Sequence, residues 1–130
     1  KIHRTEMEKK IGRWKKIALE SSKQCGRSRV PTVAEDIATL EYFCRENDDK
    51  DLKLVFWEME EKKFLKNLKL EVEPRSVAVL IGPEGGFSQT EIEMVRGYGF
   101  QTISLGPRIL RAETAPVVAL ALLQSFWGDL

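Results

Sequence analysis

Two stretches of the chain put small, stiff residues where an apolar run ends. "LIGPEGGFSQTEIE" covers residues 80–93, and "SLGPRILRAET" covers residues 104–114. Each leaves its apolar run through Gly-Pro. Glycine lets a backbone approach a ligand closely and reach positive φ. Proline fixes φ and removes a donor, which stiffens the loop. Loops built this way suit a ligand read by main-chain N–H and C=O groups. The plainer reading of Gly85 and Gly86 is a tight strand-to-helix turn. A second Gly-Pro loop, at Gly106 and Pro107, after the next apolar run weighs against turn-making alone.

The ligand chemistry follows from charge. The first loop matches neither G-x-G-x-x-G nor G-x-x-x-x-G-K-[ST]. A helix starting near Ser88 would offer free N–H groups to a phosphate. Yet "GPEGGFSQTE" holds no lysine or arginine, and Glu84 would repel an anion. A cationic or neutral ligand bearing an adenine fits better, and S-adenosylmethionine is one: its sulfonium is positive and it has no phosphate. In the second loop Arg108 and Arg111 stand three residues apart, with Glu113 close behind. Two arginines there could hold an RNA phosphate or a developing anion. The alternative is an Arg–Glu pair that braces the loop.

These loops need a scaffold, and the apolar pattern supplies one. Residues 6–24 predict an amphipathic helix, with Met7, Ile11, Trp14 and Ile17 or Ala18 at helical spacing and Gly26 as its stop. Its lysines and arginines form a solvated face or, on a sharper reading, a rim that touches RNA phosphates. A short extended piece, Arg29 to Pro31, precedes a Thr32/Glu35 capping-box pattern. That pattern predicts a second helix lined by Ile37, Leu40 and Cys44. Residues 52–58 read as a strand, "FLKNL" as a short helix, and 76–82 as a strand buried on both faces. Ser88 with Glu91 is another capping box, opening a helix that Gly97 and Gly99 close. Residues 101–106 read as the next strand, and a last helix starts near Thr114 to Pro116. Such alternation predicts an α/β fold: a mainly parallel sheet with helices on both faces. In sheets of this kind ligands sit outside the carboxyl ends of the strands, where both Gly-Pro loops and "WEMEE" would lie.

Composition narrows the function. The 130 residues can bury one sizeable core, and 42% are apolar and 32% charged, as in ordinary globular proteins. With 21 basic and 20 acidic residues the net charge is +1, so no whole-domain footprint for nucleic acid exists. Cys25 and Cys44 form no C-x-x-C, and His3 is the single histidine. They predict free thiols of a reducing compartment and no metal site. The longest apolar run, Val117 to Leu123, falls far short of the roughly 18 residues of a membrane span. A cytoplasmic protein is expected. The last helix, "PVVALALLQSFW", is apolar almost all round, which predicts cover on more than one side by the core or a second subunit.

The two Gly-Pro stretches, in this order and spacing, resemble the bacterial small-subunit (16S) ribosomal RNA uridine-N3 methyltransferases, of the SPOUT class of S-adenosylmethionine-dependent enzymes. "RWKKIALESSKQCGRSRVP" and the "WGDL" ending are similar to the same family, so the resemblance covers nearly the whole chain. It implies a C-terminal trefoil knot, which periodicity never reveals. It also implies a homodimer through the C-terminal helix and methylation of a uridine at N3 in the assembled subunit. Gly82, Pro83, Glu84 and Gly85 match the first cofactor loop, and Leu105, Gly106, Ile109 and Leu110 the second. Phe56, Trp57 and Glu58 occupy the third loop position. Arg108, Arg111 and Glu113 match the R-x-L-R-x-E-T element. Loss of the N3 proton calls for a base or an anion-stabilising cation, so Arg111, with Arg108, is expected to stabilise the uracil anion, and Glu113 to orient the arginine or serve as general base. No metal and no membrane are implied. The chain reads as the methyltransferase domain over residues 1–130, without its opening strand and helix and without the upstream RNA-binding domain of full-length members. A dimeric α/β module that binds a nucleotide-like ligand without catalysis is the competing expectation.

Overall fold

A computed structural model of the chain describes residues 4–26, 29–83, 85–107, 110–111 and 113–130. The chain divides into two compact units, Lys1–Thr39 and Leu40–Leu130.

The first unit holds helix α1, Arg4–Gln24. Ile11 and Ser22 are buried and Met7, Lys15 and Ala18 half-buried, so the inner stripe runs 7, 11, 15, 18, 22. Trp14, expected on the inner face, is 46% exposed instead, and of the alternatives Ile17 and Ala18 it is Ala18 that turns inward while Ile17 is 49% exposed. Lys15 takes a stripe position by reaching Glu35, Nζ to Oε1 2.5 Å. The helix ends just before Gly26, as the sequence predicts.

The second predicted helix is shorter than expected. No helix begins at Thr32; α2 is Leu40–Glu46 alone, and the extended piece at Arg29 to Pro31 is not a strand. The Thr32/Glu35 box does not form. Glu35 is drawn to Lys15, and the Asp36 carboxylate accepts the Ile37 N–H at 2.9 Å. Short polar side chains compete with a helix in this way.

The second unit is a three-stranded parallel sheet in the order β2-β1-β3. Its strands are β1 Leu52–Phe56, β2 Val77–Ile81 and β3 Gln101–Ile103. β1 is central, pairing Leu52 with Val77 through Phe56 with Ile81 on one side, and Leu54 with Gln101 through Phe56 with Ile103 on the other. The strands are shorter than the expected 52–58, 76–82 and 101–106. Pairing still runs on a little: the Trp57 N–H donates to the Ile103 carbonyl, and Phe64 bridges Ser104 in parallel. A 3-10 turn at Leu65–Asn67 takes the place of the short helix read in "FLKNL".

Helices cover both faces, as the alternation predicts. On one face Val55 and Ala78 pack with Cys44 of α2, with Phe100, and with Ile92 and Val95 of α3, Gln89–Gly97. On the other, Leu52, Leu54, Phe56 and Ile103 pack with Leu65 and with Ala119 of α4, Ala115–Trp127. Each large apolar side chain buried this way contributes about 1.5–3 kcal/mol. Lys53 points to the α2–α3 face, yet its Nζ escapes to the Tyr98 carbonyl (2.6 Å) and Asp48 Oδ1 (3.2 Å).

α3 has both ends sealed. Ser88 and Glu91 form a full capping box. At the other end the Phe100 N–H donates to the Val95 carbonyl and the Gly99 N–H to Arg96, with Gly99 at φ +89°. That is a Schellman ending, whose apolar contact is Phe100 with Val95 in the core. No knot is visible among the described residues. The loops to which the resemblance assigns it contain Glu84, Arg108, Ile109 and Ala112, which lie outside them.

Candidate active site

The carboxyl ends of all three strands open into one cavity of about 680 Å³. That size suits a cofactor or drug-sized ligand. Each strand end contributes a loop, and each loop is held differently.

The loop after β2 runs through Gly82 and Pro83 to α3. A turn closes it: the Gly86 N–H donates to the Pro83 carbonyl at 2.8 Å. The Phe87 ring lies against Gly82, where an added Cβ would come within 3.1 Å of it. The capping box then fixes the far end, Ser88 N–H to Glu91 Oε1 at 2.8 Å and Glu91 N–H to Ser88 Oγ at 3.1 Å. Both bonds satisfy helix-end groups that would otherwise be orphaned.

The loop after β3 is pinned by Ser104. Its N–H donates to the Lys63 carbonyl at 2.7 Å, and its hydroxyl accepts the Gly106 N–H at 3.1 Å. The side chain is 7% exposed, so this small polar clasp sits inside the protein. Farther along, the Thr114 and Ala115 N–H groups donate to the Arg111 carbonyl at 2.9 and 3.0 Å. They turn the chain into α4.

The loop after β1 is organised around the Glu60 carboxylate. Oε1 accepts the Thr102 hydroxyl at 2.6 Å, and Oε2 accepts the Lys62 and Lys63 N–H groups at 3.1 and 3.2 Å. The Glu60 N–H donates back to the Trp57 carbonyl at 3.0 Å, closing a turn over residues 57–60. Burial by itself would raise the Glu60 pKa. The Thr102 hydrogen bond, the two backbone N–H donors and the Lys63 charge outweigh it, and the pKa is lowered. Arg96 also donates to Thr102 Oγ1 at 3.2 Å, and its guanidinium lies 5.7 Å from the Trp57 ring centroid. The Trp57 indole nitrogen is buried without a hydrogen-bond partner. An unsatisfied buried donor costs about 1–3 kcal/mol.

Trp57, Glu58, Gly82, Pro83, Gly85, Leu105, Gly106, Leu110, Arg111 and Glu113 all line this cavity. Glu84, Arg108 and Ile109, also singled out in the sequence, lie outside the described residues. The sequence did not point to Ile81, Phe87, Ser104 or Ala115, which line the cavity too. Ser104 carried a faint signal: a serine two residues before a glycine, the pattern of a hydroxyl that bonds its own backbone. Glu58 Oε1 lies against Gly86, 2.9 Å from where a Cβ would stand. Arg111 and Glu113 face each other at 4.0 Å with side chains 86% and 73% exposed. An ion pair so open to water braces the loop only weakly. Among the described residues no three metal-ligating side chains gather, and no helix is long and apolar enough to cross a membrane.

Known proteins share this sequence and architecture. The model of the RNA methyltransferase domain family matches residues 1–124. Ribosomal RNA small subunit methyltransferase E of Buchnera aphidicola (from Acyrthosiphon pisum) is 38% identical over 127 residues, which are 97% of this chain and 48% of that protein. The Bacillus subtilis protein of the same name is 34% identical over 126 residues, 93% of this chain and 49% of the relative. A Legionella pneumophila protein, solved with the bound cofactor S-adenosylmethionine, superposes with a TM-score of 0.89 at 42% identity, over 100% of this chain and 52% of that one. Ribosomal RNA small subunit methyltransferase E of Neisseria gonorrhoeae, solved bound to S-adenosylmethionine, gives 0.76 at 34% identity, over 94% and 50%. The chain thus spans about half the length of the relatives it matches. It belongs to the RNA methyltransferase domain family, and the relatives it matches there include the small-subunit ribosomal RNA methyltransferases E.

Proposed function

We propose that the chain is the methyltransferase domain of an S-adenosylmethionine-dependent enzyme that methylates N3 of a uridine in small-subunit ribosomal RNA. One observation carries the cofactor reading: two Gly-Pro loops and the β1 loop meet in one cavity at the carboxyl ends of parallel strands. The lining fits the cofactor. Leu105, Leu110, Phe87 and Ile81 offer apolar contact to an adenine, and the glycines leave main-chain groups reachable. Arg111 is the one cation among the described lining residues, which suits a ligand without phosphates. The S-adenosylmethionine bound in the Legionella and Neisseria structures supports the same assignment.

In this reading Gly82, Pro83, Glu84 and Gly85 hold the cofactor from one side, and Leu105, Gly106, Ile109 and Leu110 from the other. S-adenosylmethionine supplies an electrophilic methyl group on a positively charged sulfur. The uracil N3–H must lose its proton to water so that the nitrogen lone pair can form the new N–C bond while the S–C bond breaks. Arg111, exposed and lining the cavity, stabilises the developing uracil anion together with Arg108. Glu113 orients Arg111. Most of the rate comes from positioning.

The domain works, in this proposal, behind an RNA-binding domain in a longer cytoplasmic protein, and it dimerises through α4. Support for the dimer comes from α4 itself: Ala119 is fully buried, whereas Val117 and Leu120 on other sides are 66% and 57% exposed. A knot threading the cofactor loops belongs to the same reading.

Titration calorimetry with S-adenosylmethionine tests the cofactor site. No heat, with good binding of a nucleotide instead, overturns the reading in favour of a non-catalytic module. Arg111→Ala tests the catalytic role. Cofactor affinity should stay within about twofold, since Arg111 is 86% exposed, while methyl transfer from labelled cofactor to small ribosomal subunits by the full-length protein falls by about 100-fold. Wild-type turnover in that variant removes Arg111 from the mechanism.

A further inference from the structure

Glu58 is the charged one, among the described lining residues, that the proposed chemistry leaves unused. It sits one residue after Trp57 on the third loop, and its Oε1 lies against Gly86 of the first loop. Its place is built. The turn over residues 57–60 is closed by the Glu60 N–H to the Trp57 carbonyl, and the Glu60 carboxylate ties that turn to β3 and to the Lys62 and Lys63 backbone. A Cβ built on Gly86 would stand 2.9 Å from Glu58 Oε1, so the carboxylate rests directly against the first loop, although as the tip of an exposed side chain it can swing aside.

Among the described residues its charge is also uncompensated. Among the described residues lining the cavity, the charged ones are Glu58, Arg111 and Glu113. Arg111 and Glu113 answer each other at 4.0 Å, and among the described residues no cation forms an ion pair with Glu58. The described lining thus carries one net negative charge, and Glu58 is its source.

We propose that Glu58 is the charge-selective residue of the site, favouring the sulfonium cofactor over its demethylated product. The inference rests on the cofactor reading above. S-adenosylmethionine carries a positive sulfur, a positive ammonium and a negative carboxylate, a net charge of +1. Loss of the methyl leaves the bonding pair on sulfur, so S-adenosylhomocysteine is a neutral thioether overall. A lone carboxylate in the wall attracts the first more than the second. Methyl transfer then weakens the hold on the product at the moment it must leave. Glu58 is exposed to water, so screening keeps the effect modest: a selectivity of about threefold to tenfold.

The test measures the affinity of the chain for S-adenosylmethionine and S-adenosylhomocysteine by calorimetry, in wild type and in Glu58→Gln. Glutamine keeps the shape and removes the charge. The ratio of the two dissociation constants should shift toward the product by about threefold to tenfold, mainly because the cofactor binds less tightly. Glu58→Asp, which keeps the charge on a shorter stem, should retain part of the wild-type ratio. If both ligands bind wild type and the ratio is the same in Glu58→Gln, Glu58 does not select charge and the proposal fails while the cofactor site stands. If neither ligand binds wild type, the cofactor reading fails first and the proposal falls with it.

Discussion

Gly106 separates backbone strain from cavity filling. Its φ is +112°, and a Cβ built on it meets nothing within 4 Å. Among the described residues beyond its chain neighbours an alanine there has nothing to strike, so the cost that the structure shows lies in the backbone. A non-glycine residue held in a sparsely populated region costs about 1–3 kcal/mol. Reduced freedom of the unfolded chain returns about 0.4–1 kcal/mol. From the midpoints of these ranges, about 2 less about 0.7, the net loss for Gly106→Ala is about 1.3 kcal/mol, a melting shift of roughly 4–8 °C for a domain of this size. Gly106→Val carries at least the same strain, as a β-branched residue at positive φ. It also pushes its branch into space beside the cofactor loop. Its affinity for S-adenosylmethionine should fall by tenfold or more, about 1.4 kcal/mol or above. Thermal melts of both variants read the first effect and calorimetry the second, at a temperature where each variant is folded. An alanine variant that melts with wild type refutes the strain. A folded valine variant with unchanged cofactor affinity refutes the place of Gly106 in the binding wall.

Two further perturbations test the supports of the loops. Ser88→Ala removes the acceptor for the Glu91 N–H and should cost about 0.5–2 kcal/mol in urea unfolding; a change below 0.2 kcal/mol would mean that the box is ornamental in solution. The Glu60 carboxyl has a folded pKa below its ordinary 4.5, so its contribution is present above that value and disappears as pH falls through the lowered one. Melting temperature should therefore drop more steeply below about pH 5 in wild type than in Glu60→Gln, and parallel curves would show that the carboxylate does not hold the loop.

Two capping boxes with the same sequence pattern had opposite outcomes, and the difference explains what was legible. A box contributes about 1 kcal/mol, whereas a helix in a protein is stabilised mainly by a packed apolar face. After Ser88, Ile92 and Val95 are wholly buried against the sheet, and the helix forms. After Thr32, Ile37 is 42% exposed, and the chain stays irregular until Leu40. The local signal was equal; the tertiary partner was not. Trp14 misled for the same reason, since helical spacing tells which residues share a side and not which side is covered. The site was more legible because its signal is covalent. Gly-Pro after an apolar run marks a stiff loop at a strand end wherever the strand packs. Phe87 on Gly82 and Ser104 on Lys63 were not legible, because those contacts exist only once the strands are side by side.

Arg111 combines a held carbonyl with an open side chain, and that combination bears on how an exposed arginine could act. The Arg111 carbonyl accepts the Thr114 and Ala115 N–H groups, so its backbone is set by the first turn of α4. Proline at residue 116 stiffens that turn without losing a helical hydrogen bond. α4 is in turn seated by Ala119, Leu122 and Leu123 beneath β1 and β3. The guanidinium itself is 86% exposed, with one weak partner among the described residues, Glu113. A substrate base entering beside it would therefore meet a cation whose root is rigid and whose tip has little to give up. Any partner that covers the outer face of α4 would press on the same helix that sets this root, so assembly and catalysis would share one mechanical element.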